Sequence, residues 1–174
     1  MEELLIRSIQ DAVKEGNFDL VKFSIENLID KNPRSQDGST LLHDAAQGGH
    51  LEIYKYIAGF ADDRNPSKND GSTPLHEAAK NGYKELVKFI LEAVNDPNPK
   101  DKRGWTPLHL AVENGHFEIC KIIIERGGEA NPQTNVGRSA LDLAKNNEEI
   151  HDLILTYVKK KYMWKKITKT LVFT

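Results

Sequence analysis

Three histidines, His43, His76 and His109, stand at equal intervals of 33 residues. Imidazoles in a row are the first place to look for chemistry, and the chemistry would be metal binding. An ion needs at least two of these nitrogens at about 2.0–2.1 Å. Helices in successive packed layers stand roughly 8–10 Å apart, so histidines that repeat once per layer do not converge on one ion. The single cysteine, Cys120, could be a nucleophile, yet it occupies the slot that Tyr54 and Val87 hold in earlier copies of an apolar run. No histidine or basic partner is set beside it, and a buried thiol is inert. Gly48-Gly49 and Gly127-Gly128 lack the spacing and the strand-to-helix context of a phosphate loop. The pairs Asp62-Asp63 and Glu148-Glu149 read as solvated charge on loops or a cap. No catalytic residue, metal ligand or cofactor site is expected, and the chain reads as a non-enzyme.

What positions the histidines is a repeat. Gly71-Ser72-Thr73-Pro74-Leu75-His76-Glu77-Ala78-Ala79 is preceded by Gly38-Ser39-Thr40-Leu41-Leu42-His43-Asp44-Ala45-Ala46. It is followed by Gly104-Trp105-Thr106-Pro107-Leu108-His109-Leu110-Ala111-Val112, then by a worn copy, Gly137-Arg138-Ser139-Ala140-Leu141-Asp142-Leu143-Ala144. Asn32-Pro33, Asn65-Pro66, Asn98-Pro99 and Asn131-Pro132 keep the same beat. A fixed period in this range means a stack of like supersecondary units. Within one copy, Thr73 can cap a helix and Pro74 sits at its first position, where a missing N–H costs nothing. Leu75, Ala78 and Ala79 give that helix an apolar face, and Asn81-Gly82 ends it. A second helix over residues 85–93 places Leu86, Val87, Ile90 and Leu91 at helical spacing. Asn98-Pro99 then forces extended backbone, and a tight turn over residues 101–104 returns the chain to the next copy.

The pattern G-x-T-P-L-H-x-A-A, with an N-G-H-like turn and an apolar run behind it, resembles the ankyrin repeat over roughly residues 2–158. The resemblance implies an all-α, ankyrin-type solenoid of helix-turn-helix repeats with short β-turn or hairpin connections. Its units would be an N-terminal capping repeat over 1–36, repeats over 37–69, 70–102 and 103–135, a C-terminal capping repeat over 136–158, and a basic tail over 159–174. The first unit lacks the T-P-L-H element but keeps Ile9, Ala12 and Gly16 in register, with a charged exterior suited to a terminal unit. In the fifth, Asp142 replaces the histidine and the helix turn is about two residues shorter. The family's motif histidine helps to hydrogen-bond adjacent repeats, which assigns His43, His76 and His109 a structural role, and His50 and His116 read the same way.

In that family the turn tips and first helices line a concave groove where partners usually bind. By the resemblance, the contact candidates are Asp37, Asp44, Asp70, Glu77, Lys80, Lys102, Arg103, Trp105, Glu113 and Arg138. The groove would be acidic over Asp37, Asp44, Asp70 and Glu77 and basic over Lys102, Arg103 and Arg138. Trp105 is the expected anchor, since Trp and Arg are enriched at interface hot spots. The competing reading is that it merely covers its own turn.

Composition agrees with a binding module. The chain has 174 residues, 39% of them hydrophobic, and a net charge of −2. Residues 156–174 carry six lysines and no acid, so removing them leaves −8 on residues 1–155. A lone cysteine suits a reducing compartment. No secretory signal and no apolar run of membrane-spanning length are visible. A monomeric, intracellular, cytoplasmic protein that binds another protein is expected. The alternative is an adaptor in which the lysine-rich tail meets an anionic surface, nucleic acid or membrane. Residues 157–169 could extend the last helix or lie loose, and Leu171-Val172-Phe173 could pack back or fray.

Overall fold

Each repeated motif starts a helix because it supplies a threonine or serine cap in extended conformation, and two of them follow it with proline, whose missing N–H costs nothing at the first helical position. Thr73 and Thr106 lie at φ −119° and −116° and are followed by Pro74 and Pro107 at the helix start. A computed structural model describes the backbone of residues 2–28 and 30–171 and the side chains of residues 4–28 and 30–164. Its helices come in pairs: α1 (Glu2–Lys14) and α2 (Phe18–Glu26), α3 (Leu41–Gly48) and α4 (Leu51–Ala58), α5 (Pro74–Asn81) and α6 (Lys84–Ala93). The fourth pair is α7 (Pro107–Glu113) and α8 (Phe117–Glu125), and the fifth is α9 (Ala140–Ala144) and α10 (Glu148–Leu171). The described residues form ten helices and no strands. Two isolated antiparallel bridges, Arg34 to Thr40 and Gln133 to Ser139, stand in for hairpins. Both occur where the first helical residue is not proline: Ala140 still has an N–H, and it donates to the Pro132 carbonyl at 3.2 Å.

The first helices α1, α3, α5, α7 and α9 stack in one row and the second helices in another, and the first row is the more closely packed. Alanines make this close approach feasible. Ala45, Ala46, Ala78, Ala79 and Ala111 are fully buried in the first row, beside Leu42, Leu75 and Leu108. The second row fills its side of the core with larger residues, among them Tyr54, Ile57, Ile90 and Ile123. A stack tighter along one row than the other bends, and its concave side is the first-helix side.

Glycine ends the first helices for two reasons at once. Gly82 adopts φ +83°, the left-handed region, and a Cβ there would sit 2.8 Å from the His116 ring of the next unit. The ring packs where no side chain can stand.

The fifth pair departs from the period. Its first helix has only five residues, and α10 starts two residues sooner than the interval between α4, α6 and α8 would place it. Asn147 Oδ1 accepts the Ile150 N–H at 3.2 Å to start α10. Ile150 and Ile154 are buried, and the Tyr157 hydroxyl donates to Glu125 of α8 at 3.0 Å. Beyond Val158 the chain stays helical to Leu171 rather than lying loose; Val172 and Phe173 lie outside the described residues. No helix among the described residues is long and apolar enough to cross a membrane.

Candidate partner-binding face

The motif residues determine which side chains are left to act. In units two to four the threonine N–H donates to the Nδ1 of the histidine three residues on, at 3.1 Å in Thr40–His43, Thr73–His76 and Thr106–His109. An Nδ1 that accepts places the ring proton on Nε2. That proton then points across to the next unit: His43 Nε2 donates to the Ser72 carbonyl at 3.3 Å and His76 Nε2 to the Trp105 carbonyl at 3.2 Å. At the last interface the buried His109 Nε2 lies near the Pro132 and Arg138 carbonyls without closing a hydrogen bond to either. Burial lowers the pKa of all three rings, to about 4 for His43. In unit five Asp142 performs the intra-unit half of the task, accepting from the Ser139 N–H at 2.8 Å and hydroxyl at 2.6 Å. The aspartate side chain has no N–H to send across to another unit, unlike His43 and His76.

The remaining histidines of the helix turns and the cysteine are also occupied by the scaffold. His50 and His116 each bond a carbonyl of the preceding unit, Lys14 and Lys80, at 3.0 Å. Cys120 is fully buried, and burial pushes its thiol up to about 12. Among the described residues, no group of three or more His, Cys, Asp or Glu is arranged to hold a metal. The asparagine of Asn-Pro has a task beyond setting the backbone for its proline. Asn65 Oδ1 accepts the Leu75 N–H and Asn131 Oδ1 the Leu141 N–H, both at 2.9 Å. Each thereby satisfies a donor in the first turn of a helix ten residues on. Sequence reasoning missed this bond, although the constant spacing of Asn-Pro from the motif carried the signal. In the copies at Asn32 and Asn98 the same oxygen is buried without a partner.

The turn tips are tied into a row. Asn69 N–H donates to the Asp37 carbonyl, Lys102 N–H to that of Asp70 and Asn135 N–H to that of Arg103, at 2.9, 2.9 and 3.0 Å. Asn69 and Asn135 add side-chain bonds to the Gln36 and Lys102 carbonyls.

The ten candidate contact residues separate by what the scaffold asks of them. Asp37 and Asp70 staple their own turns. The Ser35 hydroxyl and the Ser39 N–H hold the Asp37 carboxyl below its usual range. Burial works against ionisation at Asp70, but bonds from Ser72 outweigh it and its carboxyl is also lowered. Asp44, expected on the exposed side of its helix, is instead buried, at 7% exposure, because α1 packs alongside α3 and covers it. Burial raises its carboxyl; Lys14 Nζ stands 3.8 Å from one oxygen and the other has no partner. Glu77 is half-buried in an ion pair with Lys68 at 2.7 Å. Lys80, Lys102, Arg103, Glu113 and Arg138 are exposed. Of the acidic half, Asp44 is covered and Glu77 is paired, while Asp37 and Asp70 bond their own turns but remain exposed; Lys102, Arg103 and Arg138 of the basic half are exposed too.

The open part centres on the tips of units four and five. Asp101 is buried and organises the first of them, accepting the Trp105 N–H at 2.7 Å and the Arg103 N–H at 2.9 Å. Its second oxygen takes two bonds at 3.1 Å from the Arg103 guanidinium, which is otherwise solvent-facing. Trp105 is half-buried, its ring 5.7 Å from the His109 ring and 5.7 Å from the Arg103 guanidinium. It covers its own turn and remains partly exposed. On the next tip stand Arg138 and Val136, the latter 89% exposed.

Comparison with known proteins agrees with the repeat fold. No curated protein matches the chain significantly. A family model described as ankyrin repeats, three copies, matches residues 9–101 and again 92–163. The chain therefore belongs to the ankyrin repeat family, whose repeats generally act as protein–protein interaction modules.

Proposed function

We propose that this protein recognises another protein through its concave face, chiefly at the tips of units four and five. The observation that carries the reading is the contrast between spent and unspent side chains. Motif histidines, caps, turn aspartates and glycines have bonds to make or steric duties inside the stack. Arg103, Trp105, Val136 and Arg138 protrude on adjacent tips, and beyond the Arg103 bonds to Asp101 and the Trp105 contact with His109 the stack asks little of them. Tips hydrogen-bonded in a row lose little freedom on binding, which favours affinity from a modest surface. The exposed set combines guanidinium groups with a tryptophan edge and a valine, so its partner presents carboxylates beside an apolar residue.

The test compares proteins captured from the native cell by the natural chain, by an Arg103→Ala/Arg138→Ala variant and by a convex-face control, Glu118→Ala/Lys121→Ala. All four residues are exposed, but Arg103→Ala also unpairs the buried Asp101 carboxylate and should cost about 1–3 kcal/mol, so capture is compared at a temperature where thermal unfolding shows every variant folded. A partner retained by the natural chain and the control but weakened at least about tenfold by the groove variant supports the reading. Capture that is indifferent to the groove variant, or lost equally with the control, overturns it.

A further inference from the structure

The distal half of α10 carries a second apolar pattern in its sequence. Its body-facing stripe runs through buried Ile150 and Ile154 and half-buried Tyr157 and Val158. At 3.6 residues per turn, about 100° per residue, that stripe continues through positions 161 and 165, and both are lysine. Among the described side chains, the apolar residues packed on the core end at Val158. A second apolar arc begins about a quarter of a turn away, at positions 163, 164, 167 and 171, which are Met, Trp, Ile and Leu. Met163 is 64% exposed and Trp164 68% exposed. Lysines border the arc, at positions 159 and 166 on one shoulder and 161 on the other, with 165 and 169 behind. Lys160 falls within the arc by position, but its ammonium lies over the Tyr157 ring at 5.2 Å, back toward the body.

We propose that residues 159–171 form an amphipathic anchor that lies flat in the headgroup layer of an anionic lipid bilayer. A helix extension held only by water is polar all round. One with an apolar stripe, a tryptophan within it and lysines on its shoulders suits an interface whose two sides differ: acyl chains below, lipid phosphates at the rim. The charge layout fits the same surface. Residues 1–155 carry −8 and are repelled by acidic lipid, whereas the tail carries +6 and is attracted, so the tail makes the contact and the body stands off. Nucleic acid would use the lysines but leave the isoleucine and leucine positions without a role. The helix rests on the bilayer and does not span it, consistent with the absence of a long apolar helix among the described residues.

The experiment is co-sedimentation of the full chain with vesicles of phosphatidylcholine alone and of phosphatidylcholine mixed with phosphatidylserine. Binding to the mixed vesicles and little to the neutral ones is expected. Each of Lys161→Gln, Lys165→Gln and Lys166→Gln should weaken it about fivefold. Ile167→Ser/Leu171→Ser, which leaves every lysine in place, should weaken it more than about tenfold. In a Trp105→Phe background, emission then reports Trp164 alone and should shift to the blue on the mixed vesicles. Thermal unfolding checks that each variant is folded. The proposal is overturned by no binding to phosphatidylserine vesicles, or by equal binding to neutral ones. It also fails if the Ile167→Ser/Leu171→Ser variant binds undiminished, or if duplex DNA is bound more tightly than the vesicles.

Discussion

Each motif histidine is held in one neutral tautomer, with Nδ1 accepting from the threonine N–H and Nε2 carrying the proton. A second proton would cost the Nδ1 bond as well as the burial of charge. Burial holds His43 at about 4 and lowers His76 and His109 from 6.5. In the unfolded chain each titrates near 6.5, so below that pH the unfolded state takes up protons the folded state refuses. Stability from this source is complete above pH ~6.5 and is lost as pH falls toward 4; for His43 alone the loss is about 3 kcal/mol. Urea midpoints should therefore fall steadily between about pH 7 and pH 4.5. Asp44 acts with the opposite sign, because its burial-raised carboxyl gains relief as it protonates. Asp44→Asn should steepen the fall, and a flat profile would contradict the tautomer assignment. The histidines' role was legible from spacing and resemblance. The burial of Asp44 was not, because a charged residue at an outward helical position reads as exposed until the neighbouring helix is in place. Trp105 contacts His109 and Arg103 of its own unit, as the covering reading expects, and its role as an anchor belongs to the proposal.

The helices' starts and stops were the most readable features, since threonine, proline and glycine each act through local backbone geometry. The length of α10 was not readable, because lysine is as good a helix former as it is a loop residue. Glycine at the helix ends gives a comparison within one molecule. Gly82 and Gly115 both adopt positive φ, +83° and +73°, but only Gly82 has a histidine ring packed against it; the nearest atom to a Cβ at Gly115 lies 3.8 Å away. Gly115→Ala should cost the conformational penalty alone, about 1–2 kcal/mol. Gly82→Ala should cost that and the displacement of His116, and with it the bond to the Lys80 carbonyl, for a further loss of about 1 kcal/mol. Denaturant titration of the two variants measures the difference. Equal losses would mean the ring contributes nothing to the interface.

Across the whole molecule, stability is a sum of unit terms and nearest-neighbour interface terms, and the interfaces are not equal. The one between units four and five lacks the histidine cross-bond and has no ring beneath its glycine, and α9 is five residues long. Amides of α9 should exchange with solvent earlier than those of α5 and α7 in native-state hydrogen exchange at rising urea. One common rate for all three would mean the stack opens only as a unit. The periodic part of this architecture was visible in the sequence because it is a repetition. That the interface to unit five is weaker than those among units two to four was not, since it depends on a hydrogen bond that merely fails to close.

The unequal packing of the two helix rows has a mechanical consequence. Alanine-lined first helices, joined at their tips by backbone bonds, form an almost inextensible strip, while the bulkier second row behind them is the compliant one. Such a body behaves as a leaf spring: its arc opens or tightens by altering the outer spacing while the inner strip keeps its length. If the proposed partner sits on the inner face, one slightly too wide or too narrow for it would be accommodated by bending the blade rather than by breaking it.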